Sequence, residues 1–328
     1  MNSQKIKDGA TLTRPRPVFS PGRLVSAVVV LILAAMLVHG LVSNEKFRWD
    51  QVATYIFHPT VLRGIMWTLI LTVVSMLIGV ILAVTMAIMR QSPNPIMKGV
   101  SWTYIWFFRG TPIYTQLLFW GMLPTLYSTL SLGVPFGPEL LTFDTNTVIS
   151  PAVAAILGLG LNEGAYLAEI VRSGLNAVDA GQEEAARALG MRRSQILRRI
   201  ILPQAMRVII PPTGNETISM LKTTSLVLAV PFTLEITFAT QTIGQRLFLP
   251  IPLLLVAAIW YLTITSILMV IQSHIESYFG RGFDERTGGD KKPAGSRKMR
   301  AMADSGTTKD DPFLEYTPCL LYTSDAAD

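Results

Sequence analysis

This chain of 328 residues has little charge for its size. Only 15% of its residues are Asp, Glu, Lys or Arg, whereas 50% are hydrophobic and the mean hydropathy is +0.42. A soluble globular domain carries about 25% charged residues. Several windows of roughly 20 residues hold no charge at all, and a helix of that length crosses the hydrocarbon core of a bilayer. The shortage of charge therefore excludes a soluble domain and predicts an all-α polytopic membrane protein.

Cysteine and histidine are also scarce. The single cysteine, Cys319, excludes an intrachain disulfide framework and a cysteine-based metal cluster. The three histidines, His39, His58 and His274, are scattered, and the sequence contains neither HExxH nor a GxxxxGK[ST] phosphate loop. No nucleophile–base pair or metal cluster is indicated within the apolar segments. We therefore expect no catalysis, and no metal or cofactor bound by this chain.

About six apolar segments are candidates for transmembrane helices: 24–43, 65–89, one within 100–127, 150–171, one within about 204–230, and 251–271. The first segment follows a basic tail, 1–23, and is longer than the apolar core of a secretory signal, which predicts a retained helix. The ends of the fifth segment are poorly defined by the sequence, because Pro211 and Pro212 interrupt it.

The basic residues predict the orientation of the chain in the membrane. No Lys or Arg occurs from Gly110 to Val171, so the loop 128–149 is expected outside, whereas the arginine-rich 172–207 is expected in the cytoplasm. With six spans, the tails 1–23 and 281–328 are both expected in the cytoplasm. Three basic residues of the first predicted external loop run against this arrangement: Lys46, Arg48 and Arg63.

The segment "EEAARALGMRRSQILRRIILPQAM" (183–206) is the most charged stretch between two apolar segments. Its Glu, Ala, Arg, Leu and Gln residues are strong helix formers. Gly190 allows a turn between two short helices, and Pro203 suits the start of the next one. These residues alone fit either a helix on anionic lipid or a surface that docks a partner protein. Nucleic acid is disfavoured, because no aromatic residue lies among the arginines.

The spacing within this segment resembles the EAA signature of ABC importer permeases. The positions that fill the signature are Glu184, Ala185, Ala186, Gly190, Ile200, Leu202 and Pro203. In that family the signature marks a cytoplasmic coupling helix, which docks in a cleft of a separate ATP-binding subunit. The resemblance thus implies that 175–203 is a coupling segment and that ATP and Mg are bound by the partner, not by this chain.

Further stretches resemble the polar amino-acid branch of these permeases, the histidine, glutamine, arginine and opine type. They are "RGTP" (109–112), "GAYLAEIVRSG" (164–174), "GQEEAARALG" (181–190), "ILPQAMR" (201–207) and "LKTTSL" (221–226). The resemblance covers roughly 60–280 and departs from the branch at Thr223, where an acidic residue is common. It implies a type I permease fold with a five-helix domain over 60–280 and one extra N-terminal span, 24–43.

The resemblance also implies the rest of the transporter. Two permease subunits, identical or related, form the path; two cytoplasmic ATPases drive it; and an external binding protein delivers a polar amino acid across the bacterial inner membrane. Two alternatives remain open at this point. One is the same machine with another small organic solute, such as an opine, and the other is a membrane scaffold or sensor whose basic loop binds lipid or a signalling partner.

Polar residues inside a span are costly and usually face the bundle interior or a water-filled path. Asn162, Tyr166 and Glu169 recur with helical spacing on one face of the fourth span, and Glu163 lies on the flank of that face. Together with two basic residues near span ends, they form the candidate translocation path: Asn162, Glu163, Tyr166, Glu169, Arg109 and Lys222.

Structural roles compete with this interpretation. Glu169 can pair with Arg172 or Arg109. The resemblance places Arg109 at the cytoplasmic entrance of the third span, where it can serve as an interfacial anchor. Lys222 can serve as an anchor in the same way. The stretch "GLGLNEG" (158–164) has the spacing GxGxxxG rather than that of a dinucleotide loop. Its Gly160 and Gly164 predict close helix packing instead.

The end of the chain differs from the rest. Residues 281–310 are polar and charged, and we expect the tail 281–328 to lack fixed structure. The stretch "FLEYTPCLLYTSDAAD" (313–328) turns abruptly apolar and does not resemble the family. We interpret 313–328 as a sequence artefact that contributes nothing to function.

Overall fold

The structure is a computed structural model that describes residues 21–134 and 139–279. Residues 1–20 of the predicted tail 1–23 and the whole of the predicted tail 281–328 lie outside the described residues. Twelve α-helices and one two-stranded sheet follow in chain order: α1 (Pro21–Ser43), α2 (Trp49–Tyr55), α3 (Pro59–Arg90), α4 (Pro95–Gly110), α5 (Ile113–Leu126), β1 (Thr129–Gly133), β2 (Glu139–Asp144), α6 (Thr145–Val148), α7 (Pro151–Asn176), α8 (Ala180–Ala188), α9 (Arg193–Ile196), α10 (Leu202–Thr223), α11 (Ile236–Arg246) and α12 (Pro250–Phe279). Short 3₁₀ turns cover Glu45–Phe47 and Thr224–Ala229, and a π-helical turn covers Leu197–Ile201.

Among the described residues, four helices are long and apolar enough to cross a membrane: Leu24–Ser43 within α1, α3, α7 and α12. They coincide with four of the predicted segments and extend beyond three of them. The early start of α3 has a local cause, because Pro59 occupies its first turn after the capping side chain of His58. Helix α7 starts in the same way, with Pro151 after the capping side chain of Ser150. Helix α4 also begins with a capping side chain and a proline, since Asn94 Oδ1 accepts a hydrogen bond from the Ile96 amide at 2.9 Å and Pro95 follows.

The predicted third span, 100–127, is two helices in the structure rather than one. Thr111 has extended backbone angles, φ −113° and ψ 143°, between α4 and α5. The reason is the following residue, Pro112, since a residue before proline is disfavoured in the helical region. Arg109 accordingly lies in the last turn of α4, and not at the start of a span as the sequence suggested.

The predicted fifth segment is helical from Leu202, and Pro211 and Pro212 lie inside α10 without ending it. Helix α10 gives way to a 3₁₀ turn at Thr224. Because α4, α5 and α10 are not among the helices that meet the length and apolarity of a span, a total of six spans stays a prediction.

Helix α7 lies at the centre of the packed bundle, against α3, α4, α5 and α10. Small residues allow this close approach. A Cβ atom added at Gly164 would lie 2.7 Å from the Tyr104 hydroxyl oxygen and 2.8 Å from Leu82 Cβ. One added at Gly160 would lie 3.0 Å from Ile78 Cγ2. The predicted packing role of the GxxxG pair is therefore confirmed.

Helix α1 and the β-hairpin lie on the surface. None of the apolar window in α1 is buried, so this helix shows its large aliphatic side chains on every side. The hairpin is antiparallel, with Thr129 opposite Asp144, and occupies the loop that the charge pattern assigns to the outside. Every residue of β2 is exposed.

Candidate coupling segment and translocation path

The segment that carries the EAA signature forms a helix, a turn and a second helix. Helix α8 ends at Ala188, Gly190 adopts φ +74°, and α9 begins at Arg193. A Cβ atom added at Gly190 would have open space around it, so the backbone angle is what requires glycine there. The prediction of two short helices joined by a turn at Gly190 is confirmed.

Helix α8 leaves most of its signature residues uncovered. Glu184 and Ala185 are exposed, whereas Ala186 is 4% exposed and packs inwards. Leu189, next to the turn, is 82% exposed, which is unusual for a leucine outside a lipid-facing helix. Glu183 forms an ion pair with Arg187 one helical turn later. The result is a small, partly acidic surface with one protruding apolar side chain.

The second half of the segment runs directly into α10. Ile196 is 2% exposed and seats α9 against the bundle. The π-helical turn Leu197–Ile201 follows, with Ile200 half-buried, and α10 begins at Leu202. Leu202 and Pro203 are exposed. No non-helical residue therefore separates α9 from α10.

Asn162, a predicted path residue, supports the break between α4 and α5. Its Nδ2 donates to the Phe108 carbonyl oxygen at 2.9 Å and to Gln116 Oε1 at 3.3 Å. Gln116 Nε2 in turn donates to Thr111 Oγ1 at 2.7 Å. These amides satisfy backbone carbonyls that the interrupted helix leaves free. Asn162 thus fixes the end of α4 beside the middle of α7.

Glu163 is buried at the middle of α7, with 5% of its surface exposed. Its Oε1 accepts no hydrogen bond from any part of the chain that the structure describes. Gly79 of α3 lies against its stem, since a Cβ atom added there would lie 3.0 Å from Glu163 Cγ. Glu163 also interacts electrostatically with Glu216 of α10. A buried carboxyl group beside a second acid is costly in its charged form, and a bound proton or another cation relieves that cost.

Arg109 supplies positive charge to the same region. Its Cζ lies 5.3 Å from the centroid of the Tyr166 ring, within cation–π distance. Arg109 also interacts electrostatically with Glu216. The structure therefore brings together Arg109, Glu163, Tyr166 and Glu216, from three helices. Glu216 was missed by the sequence analysis, although an ionisable residue inside an apolar segment was a signal that could have found it.

The other two predicted path residues lie elsewhere. Glu169 Oε2 accepts hydrogen bonds from Arg172 Nη2 at 2.7 Å and from Nε at 3.1 Å, so the pairing alternative for Glu169 is confirmed. Lys222 is exposed in the last turn of α10, about 9 Å beyond Glu216 along the helix.

A second buried acid, Glu235, was not anticipated. Its Oε1 accepts hydrogen bonds from Thr68 Oγ1 at 2.8 Å and from the Tyr261 hydroxyl, and its Oε2 accepts one from the Thr237 amide at 2.7 Å. These contacts join α3, α11 and α12. Because both oxygens have partners, Glu235 stabilises the bundle and differs from Glu163, whose Oε1 is unsatisfied.

Within residues 21–134 and 139–279, no group of His, Cys, Asp and Glu side chains is arranged to hold a metal ion. The charged cluster around Glu163 and the exposed surface of α8 are thus the two candidate functional features. The first feature contains two acids, Glu163 of α7 and Glu216 of α10. The second is connected to the first, because α8 leads through α9 into α10, which carries Glu216.

Comparison with known proteins decides the family. Residues 75–280 match the model of the family described as "Binding-protein-dependent transport system inner membrane component". The chain belongs to this family. The permease is 47% identical to the arginine transport system permease protein ArgU of Corynebacterium glutamicum, over 90% of this chain and 92% of that protein. It is 32% identical to the nopaline transport system permease protein NocM of Agrobacterium fabrum, over 70% and 92% of the two chains.

Solved structures agree with this assignment. An amino acid ABC transporter crystallised with histidines has a chain 32% identical to the permease, with a TM-score of 0.57, over 69% of this chain and 97% of that one. A chain of the MetNI methionine ABC transporter, 18% identical with a TM-score of 0.51, shares the fold. The resemblance to ABC importer permeases and the all-α permease fold are both confirmed.

Proposed function

We propose that the permease is a membrane subunit of a bacterial ABC importer that carries cationic amino acids, arginine among them. The observation that carries this proposal is the buried, unsatisfied carboxylate of Glu163 beside Glu216. A guanidinium or ammonium group would satisfy both acids, and a guanidinium can do so with paired hydrogen bonds. The similarity to an arginine transport permease supports the same substrate.

The path would be formed where α4, α7 and α10 meet. Tyr166 offers a ring face to a passing cation, and Arg109 keeps the acidic pair from carrying uncompensated negative charge between substrates. Asn162 acts through the α4–α5 break, which it positions. Lys222, in the last turn of α10, would attract a substrate carboxylate towards the path.

The surface of α8 would dock the ATPase. The small exposed Ala185 permits close approach, Glu184 and Leu189 provide a charged and an apolar contact, and Gly190 sets the angle to α9. ATP and Mg belong to the partner subunit, of which two copies serve two permease subunits, identical or related. Closure of the ATPases would move α8, and the unbroken run of α9 into α10 carries that movement towards Glu216.

The orientation that fits this scheme has α8 and both termini in the cytoplasm, and the β-hairpin outside the bacterial inner membrane. The arginines of 172–207 and the lack of Lys and Arg from Gly110 to Val171 support it. The external binding protein would then deliver substrate on the side where the hairpin and the end of α10 lie.

An opine is the second candidate substrate. The similarity to a nopaline transport permease favours it. A scaffold or sensor has no such support, since the chain belongs to a transport family over 75–280.

Substitution at the acidic pair tests the substrate. We expect Glu163→Gln to lower ATP-driven uptake of labelled arginine into proteoliposomes by about tenfold or more, because a charge-assisted contact is lost. The complex would contain the ATPase and the binding protein. Glu139→Gln, at an exposed position of β2, is the matched control and should transport normally. Uptake of nopaline or cystine in place of arginine by the unsubstituted complex would contradict the proposed cargo.

A further inference from the structure

Helix α10 contains a weak point between the coupling segment and Glu216. Pro211 and Pro212 provide no amide hydrogen, so the carbonyl oxygens of Arg207 and Val208 lack their helical donors. Adjacent prolines inside a helix allow it to bend. A push on the first turns of α10 would therefore be absorbed by bending at the prolines unless something held that point.

Gln272 of α12 contacts α10 at this point. Its side chain is buried, with 7% exposed, and its Nε2 donates to the Pro211 carbonyl oxygen at 2.8 Å. The same nitrogen donates to Glu276 Oε1 at 2.9 Å, one turn further along α12. An amide inside an apolar helix is costly unless it is hydrogen-bonded, and these contacts offset that cost.

Gly214 completes the contact. A Cβ atom added at Gly214 would overlap the carboxamide group of Gln272, so this carboxamide keeps its position only with glycine at 214. Gly214, Gln272 and the Pro211 carbonyl thus form one fitted junction. It lies about 14 Å along α10 from Leu202 and about 8 Å before Glu216.

We infer that Gln272 is a positioning residue for transport. By fixing the proline bend of α10 to α12, it makes the movement of the coupling segment turn the part of α10 that carries Glu216. Without this junction, α10 would bend at the prolines and ATP hydrolysis would proceed without moving substrate. The inference rests on the proposed function for the role of α8 and Glu216.

Two substitutions remove the junction from opposite sides. Gln272→Met keeps the length of the side chain and removes the donor, while Gly214→Ala displaces the carboxamide. We expect each to raise the ATP hydrolysed per arginine imported by about fivefold, the effect of one net hydrogen bond. The double variant should be no worse than either single variant, because both act on one contact. Ser273→Leu, at the exposed neighbouring position of α12, is the control.

The measurement uses the complete complex in proteoliposomes, with the amount of inserted permease determined for each variant. Unchanged coupling in the two single variants, or additive losses in the double variant, would overturn the inference. Should Gln272→Met not insert, Gln272→Asn, which retains an amide on a shorter stem, is compared with Gly214→Ala in the same way. If the unsubstituted complex imports another amino acid instead of arginine, the proposed cargo fails, and the coupling ratio with that amino acid still decides the role of Gln272.

Discussion

Helices α7 and α8 are both rich in alanine and glycine, yet their small residues serve different neighbours. In α7, Gly160 and Gly164 face α3 and α4 so closely that an added Cβ atom would lie 3.0 Å from Ile78 Cγ2 and 2.7 Å from the Tyr104 hydroxyl oxygen, respectively. In α8, Ala185 is exposed, and no described helix covers it. Small side chains thus indicate close approach in both places. The neighbour belongs to the same chain in α7, and we propose that it belongs to the ATPase in α8.

The largest effect is expected from enlarging a small residue of α7. Gly164→Val would drive a side chain into the Tyr104 hydroxyl and Leu82 Cβ, which lie 2.7 and 2.8 Å from the position of the added Cβ atom. We expect a loss of about 3 kcal/mol in stability and little folded permease in the membrane. The amount of inserted protein and its thermal unfolding in detergent measure this. Gly99→Val is the control, because a Cβ atom at Gly99 meets nothing within 4 Å.

A smaller effect, confined to coupling, is expected at Gly190. Proline cannot adopt φ +74°, so Gly190→Pro must change the angle between α8 and α9. Insertion should be normal, and substrate-stimulated ATP hydrolysis should fall to about a tenth or less. Gly190→Asn, which tolerates the left-handed conformation, should retain most of the coupling. Normal substrate-stimulated ATP hydrolysis in the proline variant would contradict a coupling role for this turn.

The contrast between α7 and α8 also explains which features the sequence reveals. The signature residues of α8 and the turn at Gly190 follow from spacing within one short segment, so they were predicted. Thr111 before Pro112 was an equally local signal for the α4–α5 break, and it was overlooked.

The roles of Glu235 and Gln272 could not be predicted from neighbouring residues in the sequence. Their roles depend on partners far away in the chain, Thr68 for Glu235 and Pro211 for Gln272. Glu163 lies between these cases. Its position inside a span predicted a special role, but only the packing of α7 against α3 and α10 shows that its oxygen is unsatisfied and that Glu216 lies nearby.

The smallest effect is expected at Ala185 of α8, and it tests whether this exposed surface docks a partner protein. Ala185→Leu adds volume where we propose that the ATPase approaches, so it should weaken co-purification of the ATPase by about tenfold, or 1.4 kcal/mol, without lowering insertion. Ala53→Leu, at an exposed position of α2 outside the coupling segment, should leave ATPase binding unchanged. If both variants bind the ATPase equally well, the small residues of α8 do not mark a docking surface. If Ala185→Leu lowers insertion as Gly164→Val does, α8 belongs to the packed bundle and the distinction between the two helices fails.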